Sequence, residues 1–215
     1  MQIGIFGGSF DPVHIGHLLT ADAVFDGLSL DQLWFVPAQR SPLKDHGPRA
    51  TDADRVAMLS TAIAGDDRFG VDRIDLDRPA PSYTVDTLRL LAEAHPDAQL
   101  TFVVGLDSFL DLPRWRDPAG IAALARVAVV DRPGYAVSAA ERDARVADVV
   151  AKLPALDGRW TFVDAPLVDV SATDIRQRTA GGRSIRWRVP DAVAAYIAAA
   201  GLYRTAEPAG AAAGR

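Results

Sequence analysis

The chain contains no cysteine. Disulfides, zinc–thiolate centres and thiol nucleophiles are thereby excluded. Lysine is almost missing as well: of 23 basic residues, only Lys44 and Lys152 are lysines, so cationic chemistry falls mainly to arginine. There is no excess of positive charge, the net charge being −5. That argues against a broad nucleic-acid surface but leaves room for an anionic ligand in one locally basic pocket. No run of about 18 apolar residues occurs, so no membrane span is expected. The N-terminus reads as a core strand rather than a secretory leader, and a cytoplasmic protein with no membrane or nucleic-acid partner is expected. The phosphate loop GxxxxGKS/T and the dinucleotide fingerprint GxGxxG are both missing, and no internal repeat is present.

What is there is a globular pattern. Hydrophobic residues make up 49% of 215, enough for a proper core. Short apolar runs at Ile3–Phe6, Leu33–Val36, Leu100–Val104 and Val127–Val130 read as buried parallel strands, with weaker candidates at Val71–Ile74 and Thr161–Val163. Between them lie helical patterns at His17–Leu28, Ala53–Ala64, Val85–Ala94, Ala119–Ala125 and Ala140–Leu153. A late helix start follows at Val170–Ile175, then a last helix near Pro190–Ala200. Alternating β and α predicts an α/β doubly wound, Rossmann-like parallel sheet with helices on both faces and a C-terminal helical segment. Residues 1–204 are expected to form one domain, and 205–215, which lack a core pattern, a flexible tail. Ligands of such sheets bind beyond the carboxyl ends of the strands.

Four stretches carry chemistry. The first is GGSFDPVHIGH, from Gly7 to His17: a strand end, a glycine turn and a helix start. Glycines admit a ligand close to the backbone, and a helix N-terminus accepts phosphate. His14 and His17, three apart, lie on one helix face. No third ligand stands beside them, so phosphate contact is favoured over a metal. The second is Val170–Arg176, where Ser171 is placed as an N-cap with Asp174 in the capping-box position. Arg176 follows one turn along, with the planar fork that suits phosphate. The third, Arg78–Leu88, puts a turn and the hydroxyls of Ser82, Tyr83 and Thr84 before a helix, with Thr84 a candidate cap. The fourth sets Gly105 and Asp107 directly after a strand, with Trp115 a few residues on, as packing or as a stacking face. Lys44 and Arg40 lie in the loop after the second strand, and Arg132 in a turn after Val127–Val130; surface turns explain these equally well.

GGSFDPVHIGH resembles the signature of the HxGH nucleotidyltransferase superfamily, and Val170–Arg176 is similar to its late (I/V)S(S/A)TxIR helix. PSYTVDTL and the GLDSF…W stretch resemble the nicotinate-mononucleotide adenylyltransferase family, over roughly residues 1–204. Ser9 and Ala172 stand where many relatives have threonine and serine. The resemblance implies adenylyl transfer from ATP to nicotinate mononucleotide, giving nicotinate adenine dinucleotide and pyrophosphate, a step of NAD biosynthesis. It implies that His14, His17, Lys44 and Arg176 are catalytic. It assigns ATP to Gly7, Gly8, Ser9, Phe10, Gly105, Asp107, Arg132, Ser171 and Thr173. The mononucleotide falls to Ser82, Tyr83, Thr84 and Trp115. Mg²⁺ would arrive with ATP, without a protein cage. Two rivals remain: another superfamily member, such as one acting on phosphopantetheine, and a non-catalytic nucleotide-binding module. PSYTVDTL and Trp115 argue against the first; intact His14, His17 and Arg176 argue against the second. A homo-oligomer is left open.

Overall fold

The computed structural model describes residues 1–39, 47–131 and 138–204. Its centre is a six-stranded sheet in the order β3-β2-β1-β4-β5-β6, every pairing parallel. The strands are β1 (Gln2–Gly8), β2 (Gln32–Pro37), β3 (Phe69–Val71), β4 (Gln99–Gly105), β5 (Ala125–Val130) and β6 (Trp160–Val163). The helices are α1 (Ile15–Gly27), α2 (Asp52–Ala62), α3 (Thr84–Ala94), α4 (Leu106–Leu110), α5 (Pro118–Leu124), α6 (Ala139–Lys152), α7 (Ala172–Ala180) and α8 (Asp191–Ala199).

Strand side chains alternate between faces, and the two faces hold separate cores. Ile3, Ile5, Phe102, Val104, Val127 and Val129 pack with Leu88 and Leu91 of α3, Phe109 of α4, Ile121 of α5 and Val149 of α6. Leu33, Phe35, Val103, Ala128 and Val130 pack with Val24 of α1, Met58 and Leu59 of α2, Ile175 of α7 and Val193 and Ile197 of α8. Helices therefore cover both faces, as the alternating pattern predicts. The strand order reverses between β1 and β4, the switch point at which such sheets open a crevice.

Boundaries shift where local chemistry intervenes. The strand expected at Val71–Ile74 instead ends at Val71. Asp72 N still donates to Phe35 O at 3.0 Å, but the Asp72 carboxylate then accepts from Ile74 N at 2.8 Å. That side-chain turn replaces the ladder. Helix α4 was not foreseen; its five residues are too few to show a period. Ala125 opens β5 rather than closing α5, and α1 begins two residues before the expected His17.

Candidate active site

The early start of α1 changes the geometry of its histidines. His14 is the N-cap and His17 is in the first turn. Their rings stack, with centroids 3.6 Å apart and planes 27° from parallel. His14 N donates to His17 Nδ1 at 3.2 Å. An accepting Nδ1 carries no proton, so this bond assigns the neutral His17 tautomer with its proton on Nε2. The ring is held from its other sides by Phe10 (5.0 Å) and Phe6 (6.1 Å), both edge-on.

The turn before α1 is fixed by its own residues. Phe10 adopts a left-handed φ of 45°, and its ring is buried in the core. A Cβ on Gly8 would lie 2.8 Å from that ring, so Gly8 must be glycine for Phe10 to fold beneath the turn. Phe10 thus supports the turn with its side chain and offers a ligand only its backbone. Gly7, by contrast, would meet nothing nearer than Phe102 at 4.0 Å. Its side of β1 is open.

Two residues that sequence reasoning passed over lock this turn. Arg55 of α2 is 0% exposed and donates to Ser9 O at 2.7 Å and to Asp52 at 2.6 Å. Asp11, 4% exposed, accepts from Arg49 N (2.7 Å), Ala50 N (3.1 Å) and the Tyr203 hydroxyl (2.8 Å). Arg55 was visible as a charge in the apolar stripe it shares with Met58 and Leu59; Asp11 was visible only as a letter of the motif.

Helix α7 meets the turn from the far end of the chain. Ser171 caps it as expected, accepting from Asp174 N at 3.1 Å. The Asp174 carboxylate accepts from Arg188 Nε at 3.1 Å. Arg176 donates to Asp11 O at 2.6 Å and to Thr173 Oγ1 at 3.1 Å. Arg188 O in turn accepts the first amide of α1, Ile15 N, at 2.9 Å. The structure therefore brings His14, His17, Ser171, Thr173 and Arg176 around one turn.

The other stretches assemble on the opposite face of the sheet. Trp115 packs edge-to-face on Phe102 at 6.1 Å, and its buried Nε1 has no hydrogen-bond partner among the described residues. The cap of α3 is Tyr83, without a side-chain cap bond, rather than Thr84, which is the first helical residue. Ser82 Oγ accepts from Gln39 N at 3.2 Å, fastening the segment to the end of β2. Beneath it, the buried Asp75 carboxylate accepts from Arg78 Nη2 and from the Thr87 hydroxyl, each at 2.6 Å. Arg78 also donates to Tyr83 O at 3.3 Å. Arg116 lies over the Tyr83 ring at 4.6 Å. Gly105 ends β4, and Asp107 stands in the first turn of α4. Lys44, Arg40 and Arg132 lie outside the described residues, as does the stretch 205–215.

Among the described residues, no group of three or more His, Cys, Asp or Glu side chains is disposed to hold a metal ion. No helix there is long and apolar enough to cross a membrane. Imidazole, backbone amides and guanidinium are donors whose chemistry suits an anion.

Known proteins resemble this chain over nearly its whole length. The profile of the cytidylyltransferase-like family matches residues 5–178. A probable nicotinate-nucleotide adenylyltransferase of Thermomicrobium roseum is 44% identical, over 96% of this chain and 93% of its own. One from Roseiflexus castenholzii is 47% identical, over 94% and 98%. Among solved structures, nicotinic acid mononucleotide adenylyltransferase of Plasmodium falciparum, complexed with NaAD, superposes with a TM-score of 0.73 at 19% identity. It covers 94% of this chain and 97% of that one. At that identity the likeness speaks for the fold.

Proposed function

The chain belongs to the cytidylyltransferase-like family and, within it, to the nicotinate-nucleotide adenylyltransferases, and on that premise we propose how its residues divide the work. The reaction is adenylyl transfer from ATP to nicotinate mononucleotide, yielding nicotinate adenine dinucleotide and pyrophosphate. An oxygen of the mononucleotide phosphate attacks the α-phosphorus in line. The bond from that phosphorus to the bridging oxygen breaks, and pyrophosphate leaves. No covalent intermediate on the protein is required, so catalysis is positioning and charge stabilisation.

ATP lies along the turn from Gly7 to Phe10, with Gly105 and Asp107 beside it. His17 donates through Nε2 to an α-phosphate oxygen as charge builds there, steadied by the stacked His14. Arg176 spends one donor each on Asp11 O and Thr173. A guanidinium has five, so it keeps others for the departing phosphates, which Ser171, Thr173, Lys44 and Arg132 share. The mononucleotide sits on the other face, its pyridine ring against Trp115 and its carboxylate at the start of α3, near Ser82, Tyr83 and Thr84. Mg²⁺ arriving with ATP would supply charge neutralisation for the triphosphate; the donors described here suit such a complex better than a bare cation. A cytoplasmic setting is part of the same reading.

One observation carries it: two stacked histidines stand over the carboxyl end of β1 at the switch point, and an arginine 165 residues from Asp11 reaches the same turn. Pyrophosphate release tests it, with ATP, Mg²⁺ and nicotinate mononucleotide, nicotinamide mononucleotide or phosphopantetheine in turn. Release with the acid mononucleotide well above the other two supports the reading. Preference for phosphopantetheine or the amide overturns the acceptor assignment, and ATP binding without release from any overturns the catalytic roles.

A further inference from the structure

The end of the described chain reaches the phosphate turn. Tyr203 lies beyond α8, and its hydroxyl donates to Asp11 Oδ1 at 2.8 Å, across 192 residues. Its backbone takes a left-handed φ of 61°, an unfavourable conformation for a residue with a side chain, held by the surrounding packing. Asp11 is otherwise occupied. Its carboxylate anchors Arg49 N and Ala50 N, where the chain returns from the stretch carrying Lys44. Its carbonyl receives Arg176. Three segments distant in sequence thus converge on one residue of the turn.

We propose that Tyr203 is a positioning residue for adenylyl transfer: by holding the Asp11 carboxylate, it sets the register of the phosphate turn against Arg176 and against the segment that follows Lys44. The inference rests on reading Gly7–His17 as the ATP site. The hydroxyl is suited to the task because it is a permanent donor. Burial first, and the charge of Asp11 second, push its pKa well above the ordinary tyrosine value. It stays protonated across the working range of pH. The neighbouring turn of α2 is tied to the same C-terminal unit, since Tyr196 of α8 donates to Asp54 at 2.9 Å. The C-terminal segment therefore braces the α2 side of the turn at two points, and neither point touches the face that carries Trp115.

The test uses the full chain with Tyr203→Phe, which keeps the ring and removes only the donor, and Asp11→Asn, which replaces one of the two accepting carboxylate oxygens with an amide nitrogen that cannot accept and removes the charge. Tyr203→Phe is expected to lower kcat/KM for ATP about tenfold, the size of one buried hydrogen bond. Asp11→Asn is expected to lower it by about thirtyfold or more. In both, KM for nicotinate mononucleotide stays within about twofold of the parent, and direct titration shows weaker ATP binding. Because Tyr203 acts through Asp11, the double variant should be no worse than Asp11→Asn alone. Wild-type kcat/KM for ATP in Tyr203→Phe overturns the proposal. So does a fall in kcat that only tracks the folded fraction seen by calorimetry, with both KM values unchanged, or additive losses in the double variant. His17→Ala separates the two levels. If it is inactive while Tyr203→Phe is normal, only this inference fails; if it is fully active, the reading of the ATP site fails with it.

Discussion

The two sides of β1 at its carboxyl end are built differently. On the side of α1 and α7, polar groups are already bonded to one another: Asp11 accepts from three donors, Arg176 and Arg55 hold carbonyls of the turn, and His17 is fixed by His14. On the side of α3 and α4, Gly7 faces open space. There Trp115 Nε1 is buried with no partner among the described residues, and Gln39 Oε1, beside Ser82, is in the same position. The first arrangement is held largely by its own bonds, Arg55 Nε apart; the second leaves hydrogen-bonding capacity for a ligand. This difference fits the proposed division of labour. Stabilising a developing charge requires dipoles that need no reorganisation. Recognising a flat acceptor ring needs a surface, and a few groups whose bonds the ligand can complete.

Three substitutions would break or sharpen this contrast. The largest effect is expected for His17→Ala, which removes the donor proposed for the α-phosphate. Turnover should fall by roughly 10²–10³, with KM for the mononucleotide little changed; a near-normal rate in steady-state assay would take His17 out of the chemistry. Arg55→Met should cost about 2–4 kcal/mol of stability, because it removes a buried guanidinium hydrogen-bonded to Ser9 O and to Asp52. Urea unfolding reads this directly, and a midpoint like that of the parent would mean the turn does not depend on α2. Trp115→Ala should be the mildest, weakening the mononucleotide by about 1–2 kcal/mol through lost stacking and contact area. ATP binding, followed by titration calorimetry, should be untouched. Loss of ATP affinity instead would merge the two sides into one site.

Much of this was legible in the residues. Short continuous apolar runs gave β1, β2, β4 and β5 to within a few residues, because strands buried on both faces must be apolar throughout. Ser171 could be read as a cap because capping is a local event. The supporting polar groups were not legible. Arg55 meets Ser9 across 46 residues and Tyr203 meets Asp11 across 192, and no local pattern encodes such a meeting. Thr84 was a plausible cap on composition alone, yet the chain enters α3 one residue earlier, with Tyr83 as the cap. There the Asp75–Arg78–Thr87 bonds, rather than a capping hydroxyl, hold the approach.

The span of the Asp11 contacts also bears on how the protein is made. A chain emerging from the ribosome presents the histidine motif first and can pair β1 with β2 early, since those partners are close in sequence. The phosphate turn cannot be completed then. Arg176 and Tyr203, which close it, follow Asp11 by 165 and 192 residues, and contacts of such separation are slow to form because the loop between them must close first. A nascent chain that has exposed only the histidine motif therefore carries that signature without the contacts that Arg176 and Tyr203 bring to the turn.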